Sequence, residues 1–188
     1  MNVFDFDNTL YKGESSFDFA LFMVKKKKSL ILYLPKFLYL LILYKLCVLT
    51  PEDFTSRLEK IIKSFLQNKD FALSCIKEFW LYHIDRLYPH MLKKIKPQDV
   101  IATACPSFLI EEIKDVLNTD HIISTKIDIE KGHIESLNFQ ANKVKNFKKY
   151  YPKAKVNAFY TDSYNDKPFM DIAKTVYLVK KGRVKKIK

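Results

Sequence analysis

The chain has 188 residues, of which 48% are hydrophobic and only 3 are Gly and 7 Pro, so it is long enough to bury a core and is not disordered. Its formal net charge of +12 favours anionic partners such as phosphates, acidic lipids or nucleic acid, with solvated surface lysines as the alternative. Arginine occurs only at positions 57, 86 and 183, fewer than a nucleic-acid-binding protein usually carries, so nucleic acid is not the expected partner.

The cysteines and histidines do not form a recognisable metal or disulfide pattern. Cys47, Cys75 and Cys105 are odd in number and widely spaced, which argues against a disulfide framework and against a zinc site. The four histidines lack metal-ligand spacing. A reducing, cytoplasmic location is therefore expected.

The first predicted element is a strand over residues 2–5, and the motif Asp5-Phe6-Asp7-Asn8-Thr9 begins where this strand ends. Side chains two positions apart on a strand point to the same face, so Asp5 and Asp7 can converge where the strand ends. A carboxylate nucleophile, a carboxylate acid or base, and a divalent cation require such an arrangement. The motif therefore predicts phosphoryl-transfer chemistry.

Residues 14–96 are predicted to be mainly helical. Thr50-Pro51-Glu52-Asp53 is typical of a helix start, and Asn68-Lys69-Asp70-Phe71 indicates a break before the next helix. We interpret this segment as a helical cap domain inserted between two parts of a core domain, residues 1–13 and 97–188.

Within the cap, an apolar segment over residues 30–46 follows the four lysines at positions 25–28. Pro35, Lys36 and Lys45 interrupt it, so it is too short to cross a membrane. Asp5 and Asp7 also lie where a signal peptide would be apolar. Two alternatives stay open: a fully buried cap helix, or one that is partly buried and contacts an anionic membrane peripherally.

The remaining chain alternates strands and helices. Pro97-Gln98-Asp99 leads into a strand ending at Thr103, followed by a helix over 106–117 and a strand at 121–124. Residues 126–139 are predicted to form a hairpin, 143–151 a helix, 155–160 a strand, 167–173 a short helix and 175–179 a strand, before a turn at 180–183. This order predicts an α/β fold, a three-layer Rossmann-like core with a mostly parallel sheet.

Further polar residues follow at predicted boundaries between elements. Thr103 ends a strand, Lys143 begins a helical stretch, and Asp162 and Asp166 follow the strand at 155–160. With Asp5 and Asp7, this ordered series resembles the haloacid dehalogenase-like superfamily of phosphatases. The helical insertion resembles the phosphoserine-phosphatase-like branch (subfamily IB). The cap and the tail from Thr161 to Lys188 resemble phosphatidylglycerophosphatase-type members.

The resemblance implies a role for each of these residues. Asp5 would be the nucleophile that forms an aspartyl-phosphate, Asp7 the general acid and base, and Lys143 the cation that offsets charge on both reacting groups. Mg²⁺ would be held by Asp5, Asp162 and the backbone carbonyl of Asp7, with Asp166 orienting metal-bound water or Lys143. The phosphate and substrate contacts would come from Thr103, Ala104, Glu14 and Asn165.

Three positions depart from the common family pattern. Asn8 and Thr161 stand where Gly is frequent, and Cys105 stands near the phosphate loop, either as a reactive thiol or as a packed small residue. None of these departures removes a reacting group.

The substrate is left open between two classes. The resemblance to phosphoserine phosphatases implies that Glu14 would bind the substrate amine and that Arg57 could bind its carboxylate. The alternative for Glu14 is an acid at a helix N-terminus that interacts with the helix dipole. The apolar, basic cap favours a lipid phosphate such as phosphatidylglycerophosphate, or another amphiphilic monoester. The alternative to an enzyme is a non-catalytic basic protein that binds membranes or nucleic acid and keeps the fold. The sequence indicates no particular protein partner.

Overall fold

The structure is a computed structural model that describes residues 1–45 and 48–188, without the side chains of Leu41, Tyr44, Lys45 and Pro51. The predicted apolar segment therefore reaches beyond the described residues at position 46, and Cys47 also lies outside them. The α-helices are α1 Ser15–Lys26, α2 Leu34–Lys45, α3 Pro51–Phe65, α4 Lys69–His83, α5 Pro89–Leu92, α6 Ser107–Ile110, α7 Ala141–Tyr150 and α8 Lys167–Ile172. Short 3-10 helices span Lys28–Tyr33, Ile84–Arg86, Glu111–Val116 and Tyr164–Asp166.

The strands form a seven-stranded sheet in the order β4-β3-β2-β1-β5-β6-β7. They span β1 Val3–Phe4, β2 Val100–Pro106, β3 Ile122–Asp128, β4 His133–Ser136, β5 Val156–Thr161, β6 Ala173–Lys180 and β7 Arg183–Lys186. The pairs from β3 through β2, β1 and β5 to β6 are parallel, whereas β4 and β7 pair antiparallel at the two edges. The chain moves outward from β1 first on one side and then on the other, so the strand order reverses beside β1. In open α/β sheets ligands bind at this switch point.

Helices cover both faces of the sheet, which confirms the predicted three-layer α/β class. Consecutive strand residues point to opposite faces. Phe4 packs into a cluster with α1 and α4 residues such as Phe19 and Phe79, while Val3 packs into a second cluster with Phe147 of α7. Both sheet faces are therefore buried, as a parallel sheet requires.

Two predicted helix starts in the inserted segment are confirmed. The Thr50 side chain accepts a hydrogen bond from the Asp53 N–H at 3.1 Å, and Asn68 accepts one from the Phe71 N–H at 3.0 Å. Each side chain satisfies a backbone donor that the first helical turn leaves without a partner.

Helices α2 and α3 share a small apolar cluster of their own, in which Leu40, Phe54 and Ile61 are buried. By contrast, α1 and α4 pack directly on the sheet. The division into a core and a cap of residues 14–96 stays a prediction.

Some element boundaries differ from those expected. Strand β2 continues to Pro106 instead of ending at Thr103, with an irregular register between Ala102 and Pro106 that the sequence pattern does not reveal. The helix expected over 106–117 is a short α6 followed by a 3-10 helix. The hairpin expected over 126–139 is formed by β3 and β4, and the expected turn at 180–183 leads into a further strand, β7.

The apolar segment after the lysines has one buried and one exposed side. Leu30 and Leu40 are buried at 4% and 3% exposure, whereas Leu32 and Tyr39 are 73% and 62% exposed. No helix among the described residues is long and apolar enough to span a bilayer.

Candidate active site

The candidate site lies at the carboxyl ends of β1, β2 and β5. The loop after β1 turns sharply because Asn8 adopts a left-handed backbone conformation with φ of 55°. Its N–H donates to the Gly13 carbonyl oxygen at 3.0 Å, which closes the loop. Asn tolerates this conformation better than most residues, which explains why it can stand where Gly is frequent.

A chain of buried polar contacts connects three of the predicted residues. Lys143 Nζ lies 2.8 Å from Asp5 Oδ1 and 3.0 Å from Asp166 Oδ2. The Thr161 hydroxyl donates to the same Asp166 oxygen at 2.9 Å. Burial alone would lower the pKa of Lys143, but Asp5 and Asp166 outweigh it and raise that pKa above its usual value. Lys143 is therefore a permanently charged partner of Asp5.

Asp7 is held in a different environment. Its Oδ1 accepts a hydrogen bond from the backbone N–H of Ser15 at 2.7 Å, at the start of α1. Burial, followed by repulsion from Glu14, raises the pKa of Asp7 to about 7. Asp5 and Asp7 therefore differ in their partners, since only Asp5 contacts Lys143.

Cys105 is a packed residue and not a reactive thiol. It is fully buried, and its Sγ accepts a hydrogen bond from the Ser15 hydroxyl at 3.2 Å. Burial, reinforced by the nearby Asp7, raises the pKa of the thiol well above its usual value. A thiol that stays protonated is a poor nucleophile.

Asp162 follows β5 directly and is partly buried. Its backbone carbonyl accepts a hydrogen bond from Lys180 Nζ at 2.6 Å, whereas no described residue donates to its carboxylate. Burial, and then repulsion from Glu14, raises the pKa of Asp162. Burial likewise raises the pKa of Asp5, although Lys143 opposes this. Acidic groups therefore crowd this end of the sheet.

The donor set suits Mg²⁺. Mg²⁺ binds oxygen ligands, usually through one or two carboxylates, and retains several waters. Asp5 and Asp162 offer carboxylates and Asp7 a backbone carbonyl, and no hydrogen bond from the described residues occupies Oδ2 of Asp5. The described residues contain no cluster of three metal-binding side chains. A site made of two carboxylates and one backbone carbonyl does not require such a cluster. Asp166 accepts from Lys143 and Thr161, so its observed contacts match the lysine-orienting role.

Thr103 lies buried in the irregular part of β2. Its hydroxyl accepts a hydrogen bond from the Cys105 N–H at 3.0 Å, and its carbonyl accepts one from Asn138 Nδ2 at 2.8 Å. Ala104, the next residue, lines the cavity described below. Bulges beside an active site re-aim side chains. The phosphate contacts of Thr103 and Ala104 stay predictions.

An apolar cavity of about 350 Å³ extends from Asp7 and Glu14 into the space between the helices and the sheet. Its described lining is mainly aromatic and aliphatic, with contributions from α1, α2, α3 and the strands β2 and β3. Glu14 lies at its polar end, where Asn8 Nδ2 donates to Glu14 Oε1 at 3.0 Å. The size is at the lower end of the range for small-molecule sites.

Two further predicted residues lie elsewhere. Arg57 is exposed on α3, while its neighbours Leu58 and Ile61 line the cavity. Asn165 lies on the exposed turn after β5, where its N–H donates to Ser163 Oγ at 3.1 Å. Neither is among the described lining residues, so a substrate contact by Asn165 stays a prediction.

Four residues that support the site are not among the site residues predicted from the sequence. The Ser15 N–H donates a hydrogen bond to Asp7, and the Thr161 hydroxyl donates one to Asp166. Asn138 connects β2 to β3, and Lys180 donates to the Asp162 carbonyl. Thr161 and Ser15 directly flank predicted site residues, and this adjacency was an available signal. Asn138 and Lys180 lie far along the chain from their partners and had no local signal.

The model of the haloacid dehalogenase-like hydrolase family matches residues 3–171, which include all the predicted site residues. The chain belongs to this family. Family membership confirms the predicted resemblance to the superfamily and a hydrolase as the enzyme class. The resemblance to subfamily IB and to phosphatidylglycerophosphatase-type members stays a prediction. A search of curated protein sequences gave no match.

Solved structures share the fold of this family member. A protein of unknown function from Bordetella pertussis Tohama I has a TM-score of 0.74 and 20% identity, over 91% of this chain and 85% of that one. A phosphoserine phosphohydrolase-like protein from Francisella tularensis subsp. tularensis SCHU S4 has a TM-score of 0.60 and 20% identity, over 94% and 86%. A phospho-aspartyl intermediate analogue of phosphoserine phosphatase has a TM-score of 0.54 and 16% identity, over 93% and 83%.

Proposed function

We propose that this protein is a Mg²⁺-dependent phosphomonoesterase that acts through an aspartyl-phosphate on Asp5. The observation that supports this proposal most directly is the buried contact of Lys143 with Asp5 and Asp166, close to Asp7, which lines the cavity. Mg²⁺, held by Asp5, Asp162 and the Asp7 carbonyl, would offset negative charge on the phosphoryl group.

In the first step, Asp5 attacks phosphorus and the bond from phosphorus to the substrate oxygen breaks. Lys143, which donates a hydrogen bond to Asp5 Oδ1, keeps the nucleophile in place and offsets its charge. The leaving alkoxide takes a proton from Asp7, whose orientation is fixed by the Ser15 N–H.

In the second step, Asp7 accepts a proton from a water molecule that attacks phosphorus in the aspartyl-phosphate. The bond between phosphorus and the Asp5 oxygen breaks, which releases phosphate and regenerates the Asp5 carboxylate. Asp7 then carries the proton that the next leaving group needs.

The cavity supports an amphiphilic phosphate monoester, such as a lipid phosphate, as the substrate. Its lining contains the acidic residues Asp7 and Glu14, whereas residues such as Phe17, Leu58 and Phe139 make most of the lining apolar. An apolar chain would gain free energy by leaving water for this lining. Phosphoserine remains the second candidate, because Glu14 lies where an amine could contact it.

The mechanism is tested with p-nitrophenyl phosphate and Mg²⁺. We expect hydrolysis by the wild type and a loss of at least about 10³-fold in Asp5→Asn, since the amide is not a nucleophile here. The exposed Asp171→Asn is the matched control and should retain activity. Circular dichroism checks that both variants fold, and undiminished turnover by a folded Asp5→Asn would refute the mechanism.

The substrate class is tested with straight-chain alkyl phosphates from butyl to decyl, kept below their critical micelle concentrations. We expect kcat/KM to rise by up to about fourfold per methylene, because each buried CH₂ contributes about 0.8 kcal/mol. Phosphoserine is measured alongside. Faster turnover of phosphoserine than of every alkyl phosphate would reject the amphiphile and favour the amino-acid substrate.

A further inference from the structure

An exposed apolar stripe runs along the 3-10 helix Lys28–Tyr33 and α2. We define it as Ile31, Leu32, Leu38, Tyr39 and Ile42, whose exposures are 55%, 73%, 47%, 62% and 47%. In α2 the exposed Leu38, Tyr39 and Ile42 follow helical spacing and lie on one side. Single exposed apolar residues are ordinary, but a continuous stripe indicates an interaction surface.

The opposite side of α2 already holds this helix to the protein. Leu40 is 3% exposed and packs with Phe54 and Ile61 of α3. The stripe is therefore additional apolar surface that the fold itself does not bury.

Lysines surround the stripe at its beginning. The lysines at positions 25–28 and Lys36 are all exposed. Lys26 pairs with Glu78, and Lys27 Nζ lies 5.9 Å from the centre of the Phe71 ring. Over the described part of the chain, Lys25, Lys28 and Lys36 form no ion pair, so their charge is available to an anionic surface.

The stripe is continuous with the apolar cavity. Leu38 and Ile42 belong to the stripe, are each 47% exposed, and also line the cavity. One wall of the cavity therefore reaches the surface at the stripe.

We propose that the stripe and its lysines dock the protein on an anionic lipid bilayer, with α2 lying in the plane of the interface. The apolar side chains would enter the boundary between headgroups and acyl chains, and the lysines would contact anionic headgroups. Docking in this way would set the cavity wall against the membrane. Delivery of a lipid phosphate into the cavity rests on the proposed function, whereas docking does not.

The first test is flotation of the full chain with vesicles of phosphatidylcholine containing phosphatidylglycerol, compared with phosphatidylcholine alone. We expect binding to the anionic vesicles that weakens as salt increases, because exposed charges are screened. Equal binding to both kinds of vesicle, or binding to neither, would overturn the proposal. No substrate is present, so this result does not depend on the phosphatase activity.

Matched variants locate the surface. The stripe variant carries Leu32→Glu and Tyr39→Glu, which replace stripe residues that do not line the cavity. The control variant carries Leu81→Glu on α4 and Tyr150→Glu on α7, whose side chains are 78% and 50% exposed. We expect the stripe variant to bind anionic vesicles at least about tenfold more weakly, since two apolar side chains lose their burial. The control should bind like the wild type. Equal weakening of both variants would show that net charge alone determines vesicle binding, and would contradict the role proposed for the stripe.

The lysines are tested with the same logic. The test variant carries Lys25→Glu and Lys28→Glu. The control variant carries Lys174→Glu and Lys185→Glu, which replace exposed lysines of β6 and β7 and change the net charge by the same amount. We expect about a tenfold or larger loss only for the first pair, since each lysine near an anionic surface contributes about fivefold in affinity. Thermal melts check folding. If light scattering shows a dimer that the stripe variant disrupts while vesicle binding is unchanged, the stripe is a protein interface and the proposal is wrong.

Discussion

Lys143 is buried between two carboxylates, and its single positive charge offsets part of their negative charge. Its side chain is 4% exposed, and those of Asp5 and Asp166 are 9% and 6% exposed. Taking such charges from water is costly, and removing one partner leaves the others uncompensated. Lys143 is therefore expected to contribute to the stability of the site as well as to its proposed chemistry.

Replacing Lys143 with Met should destabilise the protein strongly. We expect a loss of about 3–5 kcal/mol in the free energy of unfolding, because Asp5 and Asp166 would lose their buried cation. The measurement is urea denaturation in the presence of EDTA. Lys145→Met, at an exposed position on the same helix, should change stability by less than about 0.5 kcal/mol. Equal effects of the two substitutions would contradict the prediction.

Among the elements, β2, β3 and α7 are connected through one buried side chain. Asn138 Nδ2 donates to the carbonyl of Thr103 in β2 at 2.8 Å and to that of Ile123 in β3 at 2.9 Å. Its Oδ1 accepts from Asn146 of α7 at 3.0 Å. The irregular end of β2, which carries Thr103 and Ala104, is thereby tied to the rest of the core.

Asn138→Asp keeps the shape of the side chain but replaces its amide donor with oxygen. Both carbonyls would lose their donor and face a carboxylate, so we expect a loss of about 2–4 kcal/mol in stability. Thermal or urea unfolding above pH 6 measures it. The exposed Asn157→Asp on β5 is the control and should be near neutral. A stability of Asn138→Asp within error of the wild type would show that this link is dispensable.

For the whole molecule, the concentration of acidic groups at one end of the sheet leads us to expect that a bound cation stabilises the fold. Burial raises the pKa of Asp5, Asp7 and Asp162, and the repulsion from Glu14 adds to this for Asp7 and Asp162. A bound divalent cation would relieve this repulsion in the folded state. Ligands that bind only the folded chain stabilise it by mass action.

Adding Mg²⁺ should therefore raise the unfolding temperature. At about 100 times its dissociation constant, Mg²⁺ would contribute about 2.7 kcal/mol, which corresponds to a rise of roughly 5–10 °C for a chain of this size. Asp162→Asn should lose most of this rise, whereas Asp120→Asn, at an exposed position before β3, should keep it. Differential scanning calorimetry with and without EDTA provides the measurement, and an unchanged rise in Asp162→Asn would contradict the predicted ligand.

Features that depend on neighbouring residues were predictable from the sequence. The carboxylate pair at the end of β1, the caps at Thr50 and Asn68, and the β3–β4 hairpin follow from spacing and turn chemistry over a few positions. The order of the later motifs also indicated the family, because each lies where a strand or a loop meets a helix.

Contacts between residues far apart in the chain were not predictable and follow from the packing of the whole molecule. Lys143 and Asp5 are 138 positions apart, and their contact depends on the strand order that places β1 between β2 and β5. The partners of Asn138 and Lys180, and the burial of one side of α2 with exposure of the other, depend on the same packing. Local patterns encode periodicity and caps, whereas contacts between distant residues depend on how the whole chain buries its apolar surface.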